Sequence, residues 1–441
     1  MKNQVKIKKI IKPYKKQIIV PSDKSLSIRC VLLSSIAVGK SKIFGLLESE
    51  DVLNAIKAVK KIGVKCLKKA NYYEIYGVGI NGFSIKKNTI INAGNSGTLA
   101  RCILGLCSAT KNKIKLIGDK SLSKRDFRRV IEPLNLFGVN IKSKNNILPL
   151  ELKGSNLLRP IKYFEMKGSA QVKTCIILSA INTFGITKIK AKRSRNHTEL
   201  MLKYLNYPIK IKKNNNYDLI EIKGLNQFKS FEYKIPGDIS SASFFIVLTL
   251  LSKKSELLIK NININPSRIG ILRILNRMNA NIIIMNKRNY KGENLGDIKI
   301  KSTKNFKSIN CPSNLNSSAI DELILCFLVA ARANGVSTFK DLGELNKKES
   351  PRLNISIKLL RMMGIKVLRK KNNIKIYGKP KLDLKGNYHI KNFLKDHRVF
   401  MFSCIAALTL NGNWIIEDKD SINTSFPKFL NILKNLGAKI N

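Results

Sequence analysis

The chain has 441 residues, with 82 Lys and Arg against 28 Asp and Glu, a formal net charge of +54. A hydrophobic content of 44% excludes wholesale disorder and supports a large core, and the length suggests about two or three domains. Such charge first points to nucleic acid or another polyanion. Yet 65 of the 82 cations are Lys, spread evenly among Asn and Ile, which reads as the drift of an AT-rich genome and not as a binding tail or stripe. The densest basic run, Lys2, Lys6, Lys8, Lys9, Lys12, Lys15 and Lys16, holds no long apolar core, so no signal peptide is read there. No stretch reaches the ~18 consecutive apolar residues of a membrane span. The eight Cys form no Cys-x-x-Cys pair and read as small buried hydrophobes in a reducing compartment, so a cytoplasmic location is expected. Three His are too few for a His-rich metal site, and no metal is expected.

In chain order, six segments pair a short polar lead with ten or more mostly apolar positions. They are Ser25–Ala37, Asn95–Ala109, Ser169–Ile181, Asp238–Leu251, Ser318–Ala333 and Asp396–Leu410, and they recur every 69 to 80 residues. A helix apolar on nearly all sides is a buried helix. Amphipathic helices running into Gly or a small turn and then a strand interleave with them at Val52–Val64, Val130–Val139, Thr198–Ile209, Ile269–Ile282, Leu353–Val367 and Phe426–Ile440. Gly63, Gly138, Gly364 and Gly437 mark four of their ends, as expected of helix C-caps. Lys113–Ile117, Thr187–Lys190, Leu257–Ile262 and Trp414–Glu417 read as strands.

Each repeat therefore predicts a β-α-β-α-β-β unit. Six units suggest an α/β chain of two domains with three repeats each, helices inside and sheets outside, meeting at a short stiff hinge near Tyr233–Pro236. Helix N-termini offer unpaired N–H groups and partial positive charge. Several of them facing one cleft between the domains would form an anion site.

The polar leads carry the candidate chemistry. The first reads Ser22-Asp23-Lys24-Ser25-Leu26-Ser27-Ile28-Arg29, with two cations and a hydroxyl able to meet an anion. The second, Gly94-Asn95-Ser96-Gly97-Thr98, lets backbone approach a ligand closely, and Arg125 follows in a basic loop. The third is Ser169-Ala170-Gln171, with Arg195 ahead of the next helix. Ser169 and Thr198 also suit plain N-capping. Asp321-Glu322, Lys348-Glu349-Ser350-Pro351-Arg352 and Asp396-His397-Arg398 set acids among cations, where neighbouring charge lowers a carboxylate pKa and burial raises it.

Taken together, these pieces resemble the 5-enolpyruvylshikimate-3-phosphate (EPSP) synthase family, in its class II-like branch. The resemblance runs in order from about Ser22 to Pro427 and includes Gly118-Asp119-Lys120-Ser121-Leu122-Ser123-Lys124-Arg125, Pro236-Gly237-Asp238 and Thr424-Ser425-Phe426-Pro427. It implies two inside-out α/β barrel domains of the enolpyruvyl transferase type, residues 22–235 and residues 1–21 plus 236–441, with the active site in the cleft. It implies transfer of the enolpyruvyl group of phosphoenolpyruvate to the 5-hydroxyl of shikimate 3-phosphate, with phosphate released and no cofactor.

By the same resemblance Lys24, Ser25, Arg29, Ser169, Ala170, Gln171, Arg195, Asp321 and Lys348 would bind shikimate 3-phosphate. Lys24, Asn95, Gly97, Arg125, Gln171, Arg352 and Arg398 would bind phosphoenolpyruvate. Asp321 would accept the hydroxyl proton, and Glu349, helped by Lys24, would protonate the methylene. Gly97 implies sensitivity to glyphosate. The chain departs from the family at Asp126 and Pro351: an acid beside Arg125 would compete with substrate, and Pro removes a backbone donor ahead of Arg352. Alternatives are a catalytically decayed relative, an enolpyruvyl transferase acting on UDP-N-acetylglucosamine, and an RNA-binding or RNA-end-processing protein. The last is disfavoured by 7% aromatics without an aromatic-basic cluster. A monomer without nucleic acid or membrane partners is the expectation.

Overall fold

The structure, a computed structural model, describes residues 3–214 and 216–441, so Lys2 of the basic run lies outside the described residues. The chain divides into two units, each with its own hydrophobic core. One contains Ser22–Pro236 together with Tyr290–Glu293. The other contains the chain up to Pro21, Gly237–Asn289 and Asn294–Asn441.

The Ser22–Pro236 unit builds three four-stranded sheets on one plan. In the first, Glu232–Lys234 runs parallel to Val38–Phe44, which pairs antiparallel with Tyr72–Val78 and that in turn with Lys65–Lys68. Thr89–Asn92, Ile114–Ile117, Leu150–Lys153 and Asn140–Ser143 repeat this order. So do Lys162–Glu165, Ile186–Lys192, Tyr217–Lys223 and Ile209–Lys213. The strand Ile186–Lys192 alternates exposed and buried residues, so one face meets the core and the lysine face meets water. Inside lie the helices Lys24–Ile36, Gly97–Leu106 and Ala170–Ile181, buried on almost every side as their composition predicts.

The other unit uses a related plan, with two strands supplied by the start of the chain. Lys15–Ile18 runs parallel to Glu256–Asn263, followed in the sheet by Glu293–Lys301 and Ile282–Tyr290. Asn310–Cys311, Val336–Phe339, Asn373–Tyr377 and Val367–Lys370 form the second sheet. Asn387–Ile390 and Asn413–Glu417 form the third, completed by Gln4–Ile7 from the start of the chain. Its inner helices are Ile239–Leu251, Leu323–Ala331 and His397–Leu410; every residue of the first two is buried.

A shared device ties each inner helix to its sheet. The N–H of Gly79, Ser155, Leu225, Thr303, Lys379 and Leu384 donates to a carbonyl at or just beyond the end of an inner helix: Ala37, Ser108, Ile181, Leu250, Ala331 and Leu410. These bonds satisfy carbonyls that a helix leaves without an internal partner. The approach is closest at Gly224 and Gly378. A Cβ on either would stand 1.7 Å from the carbonyl oxygen of Thr183 or 1.9 Å from that of Ala333, so only glycine fits.

One predicted element is broken. Ser318–Ala333 is not one helix: Asn316–Ala319 ends, and Leu323–Ala331 begins after a bend, with Asp321 and Glu322 at the break. The two arms, Ser313–Ala319 and Leu323–Ala331, are 118° apart. Both acids are engaged by side chains from distant segments, and the helix yields to those contacts. Within Ile269–Ile282 and Phe426–Ile440 the helical parts are Gly270–Arg277 and Phe429–Asn435, each ending ahead of the expected turn. The four C-terminal glycines Gly63, Gly138, Gly364 and Gly437 all take positive φ, as predicted for helix ends. Among the described residues no single helix is long and apolar enough to cross a membrane; the bent pair at Ser313–Ala331 passes by length and composition only.

Candidate active site

In the Ser22–Pro236 unit the site residues gather at the leading ends of the three inner helices. Asp23 caps the first, accepting from the N–H of Leu26 at 2.8 Å. Lys24 opens that helix and donates to Oδ2 of Asp51 at 2.8 Å. Arg29, one turn on, is buried to 3% exposure. Its Nε donates to Oγ1 of Thr198 at 2.8 Å, its Nη2 to Oγ1 of Thr174 at 3.1 Å and its Nη1 to the Ser25 carbonyl at 3.0 Å. Burial pulls this guanidinium below the ordinary arginine value, and the nearby charge of Arg195 acts in the same direction. Arg195 itself is half-buried just ahead of the helix His197–Tyr204.

The second inner helix starts at Gly97, capped by Ser96. Asn95 donates to Asp119 at 2.6 Å and accepts from Nη2 of Arg125 at 3.2 Å, so it holds Arg125 beside the loop. Arg101 donates from Nη1 to the Gly97 carbonyl at 3.2 Å and to Oε1 of Gln171 at 3.1 Å, and Gln171 donates to Thr98 at 3.0 Å. Ser169 caps the third inner helix, whose first residue is Ala170. Its lead is fixed by Glu165, which accepts from the N–H groups of Lys167, Gly168 and Ser169. Behind them, Lys173 and Glu199 form a fully buried ion pair at 2.6 Å.

In the other unit, acids and cations interlock around Arg352, the first residue of the helix Arg352–Met362 and 1% exposed. Its Nε donates to Oδ2 of Asp396 at 2.8 Å, its Nη1 to Oδ1 of Asp321 at 3.3 Å and its Nη2 to Glu349. Burial alone would lower this guanidinium, but Asp396, Glu349 and Asp321 together hold it above the ordinary arginine value. Asp396 is fully buried. It caps the helix His397–Leu410 by accepting from the N–H of Arg398 at 2.9 Å and takes the Ser350 hydroxyl at 2.8 Å. Burial works to raise its carboxyl; Arg352 outweighs this and holds it below the usual aspartate value. Arg398 donates from Nη1 to the Asp321 carbonyl at 3.0 Å, with Nη2 3.8 Å from the Asp321 carboxylate. Nζ of Lys348 lies 3.7 Å from the same carboxylate. Glu322, fully buried, accepts from Ser240 and lies 3.5 Å from Arg398.

The structure thus gathers Lys24, Ser25, Arg29, Asn95, Gly97, Arg125, Ser169, Ala170, Gln171 and Arg195 in one unit, and Asp321, Lys348, Glu349, Arg352 and Arg398 in the other. Both departures from the family pattern look different in place. The Asp126 carboxylate is exposed and accepts from the N–H of Arg128 at 2.7 Å, which starts a helix; its hydrogen bond is not to Arg125. Pro351, at φ −71° and ψ 71°, is the central residue of an inverse γ-turn in which Arg352 N–H donates to the Ser350 carbonyl at 2.7 Å. Proline's fixed φ suits that turn. Sequence reasoning passed over Thr174 and Arg101, and it took Thr198 for a possible cap; nothing local distinguishes them. Among the described residues no group of three or more His, Cys, Asp or Glu side chains is placed to hold a metal.

Comparison with known proteins is consistent in direction. A family model described as EPSP synthase (3-phosphoshikimate 1-carboxyvinyltransferase) matches residues 8–433. A 3-phosphoshikimate 1-carboxyvinyltransferase of Ruthia magnifica is 41% identical over 427 residues, covering 96% of this chain and 95% of that one. One of Vesicomyosocius okutanii is 38% identical with the same coverage. The solved EPSP synthase of Acinetobacter baumannii superposes with a TM-score of 0.86 at 33% identity, covering 99% of each chain. The enolpyruvyl transferase NikO of Streptomyces tendae shares the fold, with a TM-score of 0.74 at 12% identity.

Proposed function

The chain belongs to the EPSP synthase family, and we propose that its two charged clusters serve that family's single reaction. It transfers the enolpyruvyl group of phosphoenolpyruvate to the 5-hydroxyl of shikimate 3-phosphate and releases phosphate, a step of aromatic amino acid biosynthesis. The observation that carries the assignment of residues is the placement of cations at the leading ends of buried helices, with Asp321 and Glu349 held among them.

In this reading Lys24, Ser25, Arg29, Ser169, Ala170, Gln171, Arg195 and Lys348 bind shikimate 3-phosphate. Lys24, Asn95, Gly97, Arg125, Gln171, Arg352 and Arg398 bind phosphoenolpyruvate. Cations fix two anionic reactants in place and neutralise the charge that keeps them apart. Asp321 takes the proton of the 5-hydroxyl as its oxygen bonds to the enol carbon, and Glu349 with Lys24 delivers a proton to the methylene. The product carries the carbon–carbon double bond again, now as an enol ether, so one methyl proton must leave as phosphate departs. Arg352 is engaged by Asp321, Glu349 and Asp396. An incoming phosphate or carboxylate competes for Arg352 and Arg398, and releases the two acids from their cations as it binds. Eight free, buried cysteines support a cytoplasmic assignment, and a monomer needing no cofactor and no nucleic acid is part of the same proposal.

The test is release of phosphate from phosphoenolpyruvate that depends on shikimate 3-phosphate. Asp321→Asn and Glu349→Gln should each lower kcat by about 10²–10⁴ while both substrates still bind. A folded wild-type protein that releases no phosphate would overturn the reading.

A further inference from the structure

Arg29 is buried, and among the described residues it has no carboxylate contact. Its partners are two threonine hydroxyls and a main-chain carbonyl, reached from three separate helices. A buried guanidinium ordinarily meets an acid, as Arg352 does with three of them. The acids nearest Arg29 in charge already have partners: Glu199 pairs with Lys173 at 2.6 Å, and Asp23 caps the first inner helix. Thr174 and Thr198 also hydrogen-bond each other at 2.8 Å, so the two hydroxyls form one unit that grips Nε and Nη2 together. A guanidinium has five N–H groups. Three are committed to these neutral acceptors, which leaves one on Nη1 and one on Nη2 for a ligand.

We propose that Thr174 and Thr198 are positioning residues: a neutral clamp that aims Arg29 while leaving its positive charge uncompensated for an anionic group of shikimate 3-phosphate. The inference rests on the assignment of Arg29 to that substrate. Hydroxyls fix the guanidinium plane without supplying negative charge, whereas a carboxylate in the same place would fix it and compete with the substrate. Each clamp bond is charge-assisted, so its loss is felt more than that of a neutral pair.

The experiment compares Thr198→Val, Thr198→Ser and Thr198→Asp, with Thr174→Val alongside. Steady-state kinetics in both substrates are measured together with calorimetric titration of shikimate 3-phosphate. Thr198→Val should weaken shikimate 3-phosphate, in KM and in Kd, by about 10- to 100-fold, the worth of a hydrogen bond to a charged group. KM for phosphoenolpyruvate and kcat should stay near wild type, the pattern of lost uniform binding. Thr198→Ser, which keeps the hydroxyl, should restore affinity; Thr198→Asp, which keeps an acceptor but adds charge, should not. Thr174→Val should act in the same direction. Unchanged affinity in both valine variants, failure of serine to restore it, or rescue by aspartate would overturn the proposal. Thermal unfolding separates these outcomes from misfolding, and if Thr198→Val does not fold, Thr174→Val decides. The calorimetric arm keeps this inference apart from the activity: weakened binding in the valine variants beside a wild type that turns nothing over would support the clamp and sink the assigned reaction.

Discussion

A methyl group at position 97 would lie 2.8 Å from Nη1 of Arg101 and 2.9 Å from Nη1 of Arg125. Both are ends of flexible side chains, so Gly97→Ala should fold but displace the guanidinium assigned to phosphoenolpyruvate. KM for phosphoenolpyruvate should rise about tenfold, and inhibition by glyphosate should weaken in parallel; steady-state kinetics with and without the inhibitor check both. Asp396 is a second single-residue test. Asp396→Ala removes the fully buried member of the three carboxylates around Arg352 and should cost stability, up to the ~3–5 kcal/mol of a broken buried pair. Its folded carboxyl lies below the unfolded value of about 4, so its contribution is complete above that pH and fades as pH falls through the folded value. The gap in Tm between wild type and Asp396→Asn should therefore narrow on going from neutral pH to strong acid. The charged residues of both clusters were legible in the sequence because cations and acids stand out at the start of apolar runs. Thr174 was not, because its role depends on an arginine 145 positions away.

At the level of elements, the inner helices were legible because they are apolar on all sides, and their spacing exposed the repeat. The break at Asp321 was not legible. No Gly or Pro lies between Ser318 and Ala333, and the forces that end the first arm come from Arg352, Arg398 and Ser240. The register of strand against helix end was equally hidden, although it sets what position 224 or 378 can hold. Gly224→Ala and Gly378→Ala put a carbon within 2 Å of a main-chain carbonyl and should each destabilise their unit by at least the ~1–3 kcal/mol of an overpacked core. Gly437→Ala is the contrast: φ is +104° but nothing lies within 4 Å, so only backbone strain of about 1–2 kcal/mol is expected. Denaturant melts of the three variants separate the two causes.

Over the whole molecule, +54 elementary charges repel one another in the folded state more than in an expanded one. The Debye length falls from about 30 Å at 0.01 M salt to about 10 Å at 0.1 M, so Tm should rise by a few degrees across that range; a fall would mean that local ion pairs outweigh the net charge. The pairing of the first strands with much later ones also gives the chain a direction in time. Ser22–Pro236 closes all three of its sheets with its own strands, and later receives only the tip Tyr290–Glu293. In the other unit both leading strands wait for their partners: Lys15 pairs with Glu256, and Gln4 with Glu417. At ~5–20 residues per second, the first strand stands unpaired on the ribosome for roughly 20–80 s before its partner is made. An unpaired strand edge is a template for aggregation, and lysine is the usual safeguard on an exposed edge. Six of the residues from Lys6 to Lys16 are lysines, so positive charge, the usual guard against edge-to-edge pairing, accompanies this segment for as long as its partner strands are missing.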